Sequence, residues 1–356
     1  MILVVRNWFH RYFSDPQAIL LAVLLMIGFT VVLNLGKILA PVLTAIVVAY
    51  LLEGLVRPLE SIRIPRMLAV LLVFMVFVVG LFFLLFGLTP LLSRQLSQLA
   101  QQIPDMVARG QQTLLLLPEK YPDVITPGQI KSLMDTMRTL LGDFGQGVLS
   151  LSIASIQGII VFLLYFFLVP FLVFFFLKDK KPILGYLSGL LPKERRLATQ
   201  VWKEMDEQIG NYVRGKLLEV LIVWIVTYVA FAALHMNYAP LLSFLVGISV
   251  IIPYVGSVVV TVPVVLIGYF QWGWGSEFLW MLTIYAIILF VDGNILVPLM
   301  FSEAVNLHPV AIMIAVLFFG GIWGFWGIFF AIPLATLVQV VIASWPRTPI
   351  TSDYTV

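Results

Sequence analysis

Long apolar runs separated by short polar segments dominate this chain, and a helix needs about 20 apolar residues to cross the hydrocarbon of a bilayer. Runs of that kind fall at Gln17–Leu35, Leu68–Thr89, Ser150–Leu177 and Glu219–Leu234, with shorter ones at Ile38–Leu52 and Phe278–Phe301. Two further runs, Pro240–Phe270 and Pro309–Ala343, are interrupted midway. The breakers are Pro253-Tyr254-Val255-Gly256 in the first and the series Gly320, Gly321, Gly324, Gly327 in the second. An unbroken helix of about 30 residues would be about 45 Å long, more than a membrane requires. Broken helices or re-entrant hairpins are expected there. The pattern predicts an all-α, polytopic helical membrane protein with about eight hydrophobic segments, two of them broken.

The polar segments have their own periodicity. Leu92, Leu96, Leu99, Ile103 and Met106 recur at helical spacing, as do Ile130, Met134, Met137, Leu141 and Phe144, with Pro118, Pro122 and Pro127 between the two sets. They predict a pair of amphipathic helices outside the bilayer, serving as a cap or as an interface with a neighbouring subunit. Trp202, Met205, Ile209, Tyr212 and Val213 predict a third amphipathic helix, with Lys203, Arg214 and Lys216 placed to face lipid phosphates. The chain then divides into a tail at 1–16, spans at 17–90, an outer segment at 91–149 and a span at 150–177. A basic inner segment at 178–216, a broken-helix core at 217–343 and a tail at 344–356 complete it. One internal echo, Gly247 to Ile252-Pro253 against Gly327 to Ile332-Pro333, suits two hairpins entering from opposite faces.

Composition narrows the class. Hydrophobic residues make up 61% of the 356 and charged ones 11%, whereas soluble domains carry about 25% charged residues. The net charge of +3 does not indicate nucleic acid, because the basic residues follow membrane topology rather than forming a stripe. Residues 178–216 hold nine Lys or Arg against five acids, and Arg57, Arg63 and Arg66 add three more in another loop. Residues 91–150 hold five of each sign. The basic loops are therefore expected in the cytoplasm with both termini, and the balanced segment outside. The first apolar run continues through Asn34 and Lys37 into more membrane, so it is expected to stay as an uncleaved helix. Cysteine is absent and the three histidines are scattered, which leaves no thiolate or imidazole metal site. No nucleotide-binding or hydrolytic motif is present, and neither an enzyme nor a cofactor is expected.

The candidate chemistry lies in the charge-poor half. No Asp, Glu, Lys or Arg occurs from Val220 to Ser276 or from Ala304 to Pro346, and between them stand only Glu277, Asp292 and Glu303. An Asp at the centre of a membrane helix costs roughly 2.5–3.5 kcal/mol on insertion scales, so Asp292 is a functional candidate by default. Pro298 lacks an amide hydrogen and frees the carbonyl of Asn294, four residues back. Carboxylate, Asn294 amide and free carbonyl offer the hard oxygens that a sodium ion or a proton relay uses. Glu303 and His308 follow at the helix end, where an imidazole can couple transport to pH. Pro253, Tyr254 and Gly256 open a helix terminus at membrane depth, and Gly320 with Gly321 permits tight packing or a cavity-lining turn. Glu219, near the inner end of its span, can reach the interface and reads as structural.

At these residues the chain resembles the autoinducer-2 exporter family of bacterial permeases, and most closely its PerM-like branch. The likeness runs through Phe176-Leu-Lys178-Asp179, Tyr212-Val-Arg214-Gly215-Lys216, Ile252-Pro253-Tyr254-Val-Gly256, and Asp292-Gly-Asn294 with Pro298. It continues through Asn306-Leu-His308-Pro309, Gly320-Gly321 and Ala331-Ile-Pro333. The resemblance implies a multi-pass protein of the bacterial inner membrane and a homo-oligomer, with a pentamer as the named arrangement. It also implies transport of a small polar solute, such as export of an autoinducer-2-like signal. Two alternatives stand beside that reading. One is a monovalent cation (sodium)/proton antiporter using Asp292; the other is a non-transporting oligomeric scaffold in the membrane lipids.

Overall fold

In lipid the backbone must satisfy its own hydrogen bonds, and the apolar runs accordingly become helices. A computed structural model describes residues 15–115, 156–253, 255–301 and 307–345, with Gly128, Ser132 and Thr139. No strand occurs among the described residues. Seven stretches are long and apolar enough to cross a membrane, with three shorter apolar helices beside them.

Helix α1 spans Pro16–Ser61 without interruption and contains two such stretches, Pro16–Gly36 and Ile38–Ser61. It cannot be straight. Gln17 Oε1 accepts from the Leu197 amide at 3.0 Å, and the Tyr50 hydroxyl donates to the carbonyl of Asp206. Residues 197 and 206 lie about 14 Å apart along their helix, whereas residues 17 and 50 would be about 50 Å apart on a straight one. α1 therefore bends sharply and brings both its arms to one end of the molecule. Pro41 accounts for the bend, since its ring clashes with the carbonyl of Lys37 and removes a rung of the ladder.

Helix α2, Arg66–Phe82, passes through a π-helical turn at Phe83–Leu88 into α3, Thr89–Leu115. The first outer amphipathic stretch is thus a continuation of a membrane helix and not a separate element. Its apolar stripe is partly covered, because Leu99 and Met106 pack on the core of the C-terminal half. Gln95 Oε1 also accepts from the Leu241 amide at 2.9 Å. The second outer stretch, Ile130 to Phe144, lies outside the described residues. Helices α4, Ile156–Lys178, and α5, Lys180–Gly189, follow. α4 packs with α2 and the second arm of α1 through Ala45, Ala49, Val70, Val73, Val169 and Val173.

Helix α6, Arg196–Ala233, is the axis of the fold. Its 38 residues carry the amphipathic inner stretch and the next span as one rod, so the boundary expected at 216/217 falls inside a helix. The sequence between holds glycines but no proline, and nothing stops the helix. Its buried face runs through Met205, Tyr212, Val213, Lys216, Glu219, Val223, Thr227 and Phe231.

Both broken runs are hairpins on this rod. α7, Ala239–Ser249, turns into α8, Val255–Trp272. α11, Pro309–Trp323, turns through the short α12, Phe325–Phe329, into α13, Ala331–Ser344. At 15 and 14 residues, α11 and α13 are about 22 and 21 Å long, short of a 30 Å hydrocarbon core. A glycine permits each close turn. A Cβ on Gly256 would lie 1.8 Å from the Ser249 carbonyl oxygen, and one on Gly327 would lie 1.8 Å from that of Phe319. Between the hairpins, α9, Ser276–Val291, widens into a π-helical turn at Asp292–Leu296 and continues as α10, Val297–Phe301. Apolar side chains such as Val79, Phe167, Ile225 and Val258 are exposed, as a surface solvated by acyl chains allows.

Candidate transport site at the π-helical turn

The π-helical turn explains why the Asp292 motif is built as it is. Pro298 has no amide to return to Asn294, and the turn widens so that the Val297 amide donates to the Asp292 carbonyl five residues back. Asn294 is part of this device. Its Nδ2 donates to the Phe290 carbonyl at 2.9 Å, its side chain is exposed, and it supplies no ligand to Asp292. Asp292 faces the other way. It is 7% exposed, and its Oδ1 has no hydrogen-bond partner among the described residues.

What it faces is α6. The π-helical turn and α10 both pack against this helix, which sets the buried Asp292 carboxyl within electrostatic range of Lys216 and Glu219. Lys216 and Glu219, one helical turn apart, form a buried ion pair with Nζ at 3.0 Å from Oε1 and 2.8 Å from Oε2. They are 5% and 1% exposed. This corrects both expectations for these residues. Lys216 does not reach for lipid phosphate, and Glu219 does not reach the interface. The signal that locates them is the continuity of the stripe Ile209, Tyr212, Lys216, Glu219, Val223, whose spacing keeps all five on one helical face. Treating 216 as the end of one segment and 219 as the start of another hides it.

The two hairpin tips meet α6 at the same level. Ile251, beside Pro253, packs with Phe329, Ile332, Tyr212 and Val213 in a single buried cluster. Pro333 is buried in the first turn of α13, and Gly256 is buried at the start of α8. Each Ile-Pro pair of the internal echo thus stands at a hairpin turn. Gly320 packs against Ile328, while Gly321 and Pro298 are exposed. His308 is an exposed helix cap whose Nδ1 accepts from the Val310 amide at 3.3 Å, away from any acid among the described residues. Glu303 and Tyr254 lie outside the described residues. No group of three or more His, Cys, Asp or Glu placed to hold a metal occurs among the described residues.

A second ionic cluster closes the basic end of the bundle. Glu53 accepts from Lys180 Nζ at 3.0 Å and Arg66 Nη2 at 3.3 Å, with Arg57 at 3.9 Å. Arg66 also reaches Glu60 at 3.2 Å and the Leu177 carbonyl at 2.7 Å. Beside it a cavity of about 390 Å³, lined by residues including Tyr50, Glu53, Arg57, Asp206 and Arg214, opens between α1 and α6. Arg214 stands two residues before Lys216 on the same helix.

The profile of the AI-2E family transporters matches residues 6–347. The chain belongs to the AI-2E transporter family. It is 45% identical over 353 residues, 99% of this chain and 100% of the relative, to the protein named "Putative permease PerM" of Escherichia coli (strain K12). A more distant relative, the "AI-2 transport protein TqsA" of Escherichia coli (strain K12), is 24% identical over 334 residues, 90% of this chain and 92% of its own. Membership agrees with the resemblance read from the ordered motifs, and it makes the chain a membrane protein of a transport family. The motifs that carry the likeness include the residues around Lys216, Pro253, Asp292 and Pro333, which the fold gathers along α6.

Proposed function

We propose that this chain is a permease of the bacterial inner membrane that moves a small polar solute through a path pivoting on Asp292 and the Lys216–Glu219 pair. The observation that carries the reading is the convergence of two hairpin tips and a π-helical turn on a buried charged cluster. Elsewhere that half of the chain is almost without charge. Transporters place substrate and ion sites where broken helices meet, because unwound backbone is tolerated there only where it lines a cavity. A scaffold has no use for a carboxylate at that depth.

The solute class we favour is an autoinducer-2-type polar signal, in keeping with the name of the 24%-identical relative, and the direction we propose is outward. The excess of nine basic over five acidic residues in 178–216 supports a cytoplasmic location for that segment and for both chain termini. Homo-oligomeric assembly belongs to the same proposal, with outward-facing apolar surface available for subunit contacts. The test is flux of autoinducer-2 in proteoliposomes of the pure protein under imposed proton and sodium gradients. Gradient-dependent movement above protein-free vesicles is expected. A rate equal to that of protein-free vesicles under every gradient overturns the choice of solute.

A further inference from the structure

We propose that Lys216 is a mobile counter-ion shared between Glu219 and Asp292, so that the cluster takes up one proton, on Asp292, in each cycle and holds no metal cation. The proposal rests on the permease reading only for the use made of the proton; the cluster itself stands on its geometry.

The charge count sets the problem. Two carboxylates and one ammonium share a buried place, and one lysine cannot neutralise both acids. An ion taken out of water is stabilised only by close partners and by hydrogen bonds to its remaining lone pairs. Glu219 has them, since both its oxygens accept from Lys216. Asp292 is less well provided, since its Oδ1 has no partner among the described residues. Among the described residues the groups able to change this are few. From α6 Asp292 is faced by Lys216 and Glu219, and the Glu219 charge reaches Tyr212, two turns back along the helix. α9 contributes Tyr285, two turns before Asp292 and tied to Thr261 at 3.1 Å. α10 carries no ionisable side chain.

Two arrangements satisfy the cluster. With a proton on the Asp292 carboxyl, Lys216 stays on Glu219, as the structure shows, and the three side chains sum to zero charge. When the Asp292 O–H bond breaks and the proton leaves to water on one side, Lys216 turns about its own side-chain bonds toward the new carboxylate. Protonation from the other side returns it to Glu219. The proton moves on and off Asp292 alone, and no electron moves. A sodium ion fits neither arrangement. Hard cations take several oxygens at once, and here the Glu219 oxygens are occupied while the Asn294 amide is exposed and tied to Phe290.

Dicyclohexylcarbodiimide reads the difference, because it reacts with buried carboxyl groups in their protonated form. In the full-length protein in lipid, mass mapping is expected to find one adduct per chain, on Asp292, none in Asp292→Asn, and no protection by sodium over choline. Glu219→Gln releases Lys216 to Asp292, and labelling there is expected to fall several-fold. The double variant Lys216→Met with Glu219→Gln removes the ammonium and is expected to restore labelling; it leaves no unpaired charge, so it reports even where Lys216→Met alone fails to assemble. Three results overturn the proposal: an unlabelled Asp292 in the wild type, labelling unchanged by Glu219→Gln, or protection by sodium. None depends on the identity of the solute, so a failed solute flux and a failed proton exchange are told apart.

Discussion

Two ionic clusters in this molecule both pair carboxylates with cations and are wired in opposite ways. At the basic end, Glu53 is met by Lys180, Arg66 and Arg57, three cations around one buried acid, and those cations stay 24–54% exposed. On the rod α6, Lys216 is met by two acids, and all three groups are buried. The first cluster has more cations than its carboxylate needs and joins α1, α2 and the start of α5. The second is one positive charge short. An over-supplied carboxylate has one stable arrangement and suits a joint. An under-supplied one has two arrangements separated by a proton, and suits a cycle.

The comparison breaks most visibly at Lys216. Lys216→Met strands Glu219 beside Asp292 and is expected to destabilise the assembly by about 3–5 kcal/mol, the usual cost of removing one partner of a buried pair. Adding Glu219→Gln is expected to recover most of that loss, because a neutral pair needs no counter-ion. Thermal unfolding of the detergent-solubilised protein measures both. If Lys216→Met alone is as stable as the wild type, the pair is not buried as described. Glu53→Gln sharpens the contrast. It removes charged hydrogen bonds to partly exposed cations, for an expected loss of about 1–2 kcal/mol, with transport per assembled protein unchanged. A fall in transport beyond the fall in assembled protein would move the function to the basic end. Smallest is Arg57→Ala. Its 3.9 Å contact is half exposed, and a change below about 0.5 kcal/mol is expected from the same unfolding measurement.

Much of this was legible in the sequence, for identifiable reasons. Apolar run length marks the spans, because lipid leaves helices few alternatives. Pro253 and the glycine series mark the two hairpins, because a missing amide or a missing Cβ is a local property that neighbours do not override. Asp292 stands out because charge is so scarce around it. Lys216 and Glu219 were misplaced because each, read alone, fits a helix end at the interface. Their burial depends on α6 running straight from the basic end into the core, and only the packing of α7, α10 and α13 around that rod decides it. Asn294 was read as a ligand from proximity to Asp292 in sequence, but in the widened turn the two side chains leave on different faces. Glu53 gave no sign at all, since its partners come from residues 66 and 180, brought near by the fold.

The central claim is that the Asp292 carboxylate is a working group and not a structural one. Asp292→Asn keeps the shape, removes the charge, and leaves the Lys216–Glu219 pair complete, so the protein is expected to insert and assemble as the wild type does. Gradient-driven flux of autoinducer-2 is then measured in proteoliposomes holding equal amounts of either protein under the same proton gradient. Each charge moved through the membrane potential is worth about 2.3 kcal/mol per 100 mV, and that drive is lost with the coupling carboxylate. The account predicts wild-type flux well above protein-free vesicles and Asp292→Asn flux at their level; equal gradient-driven flux in the two proteins would contradict it.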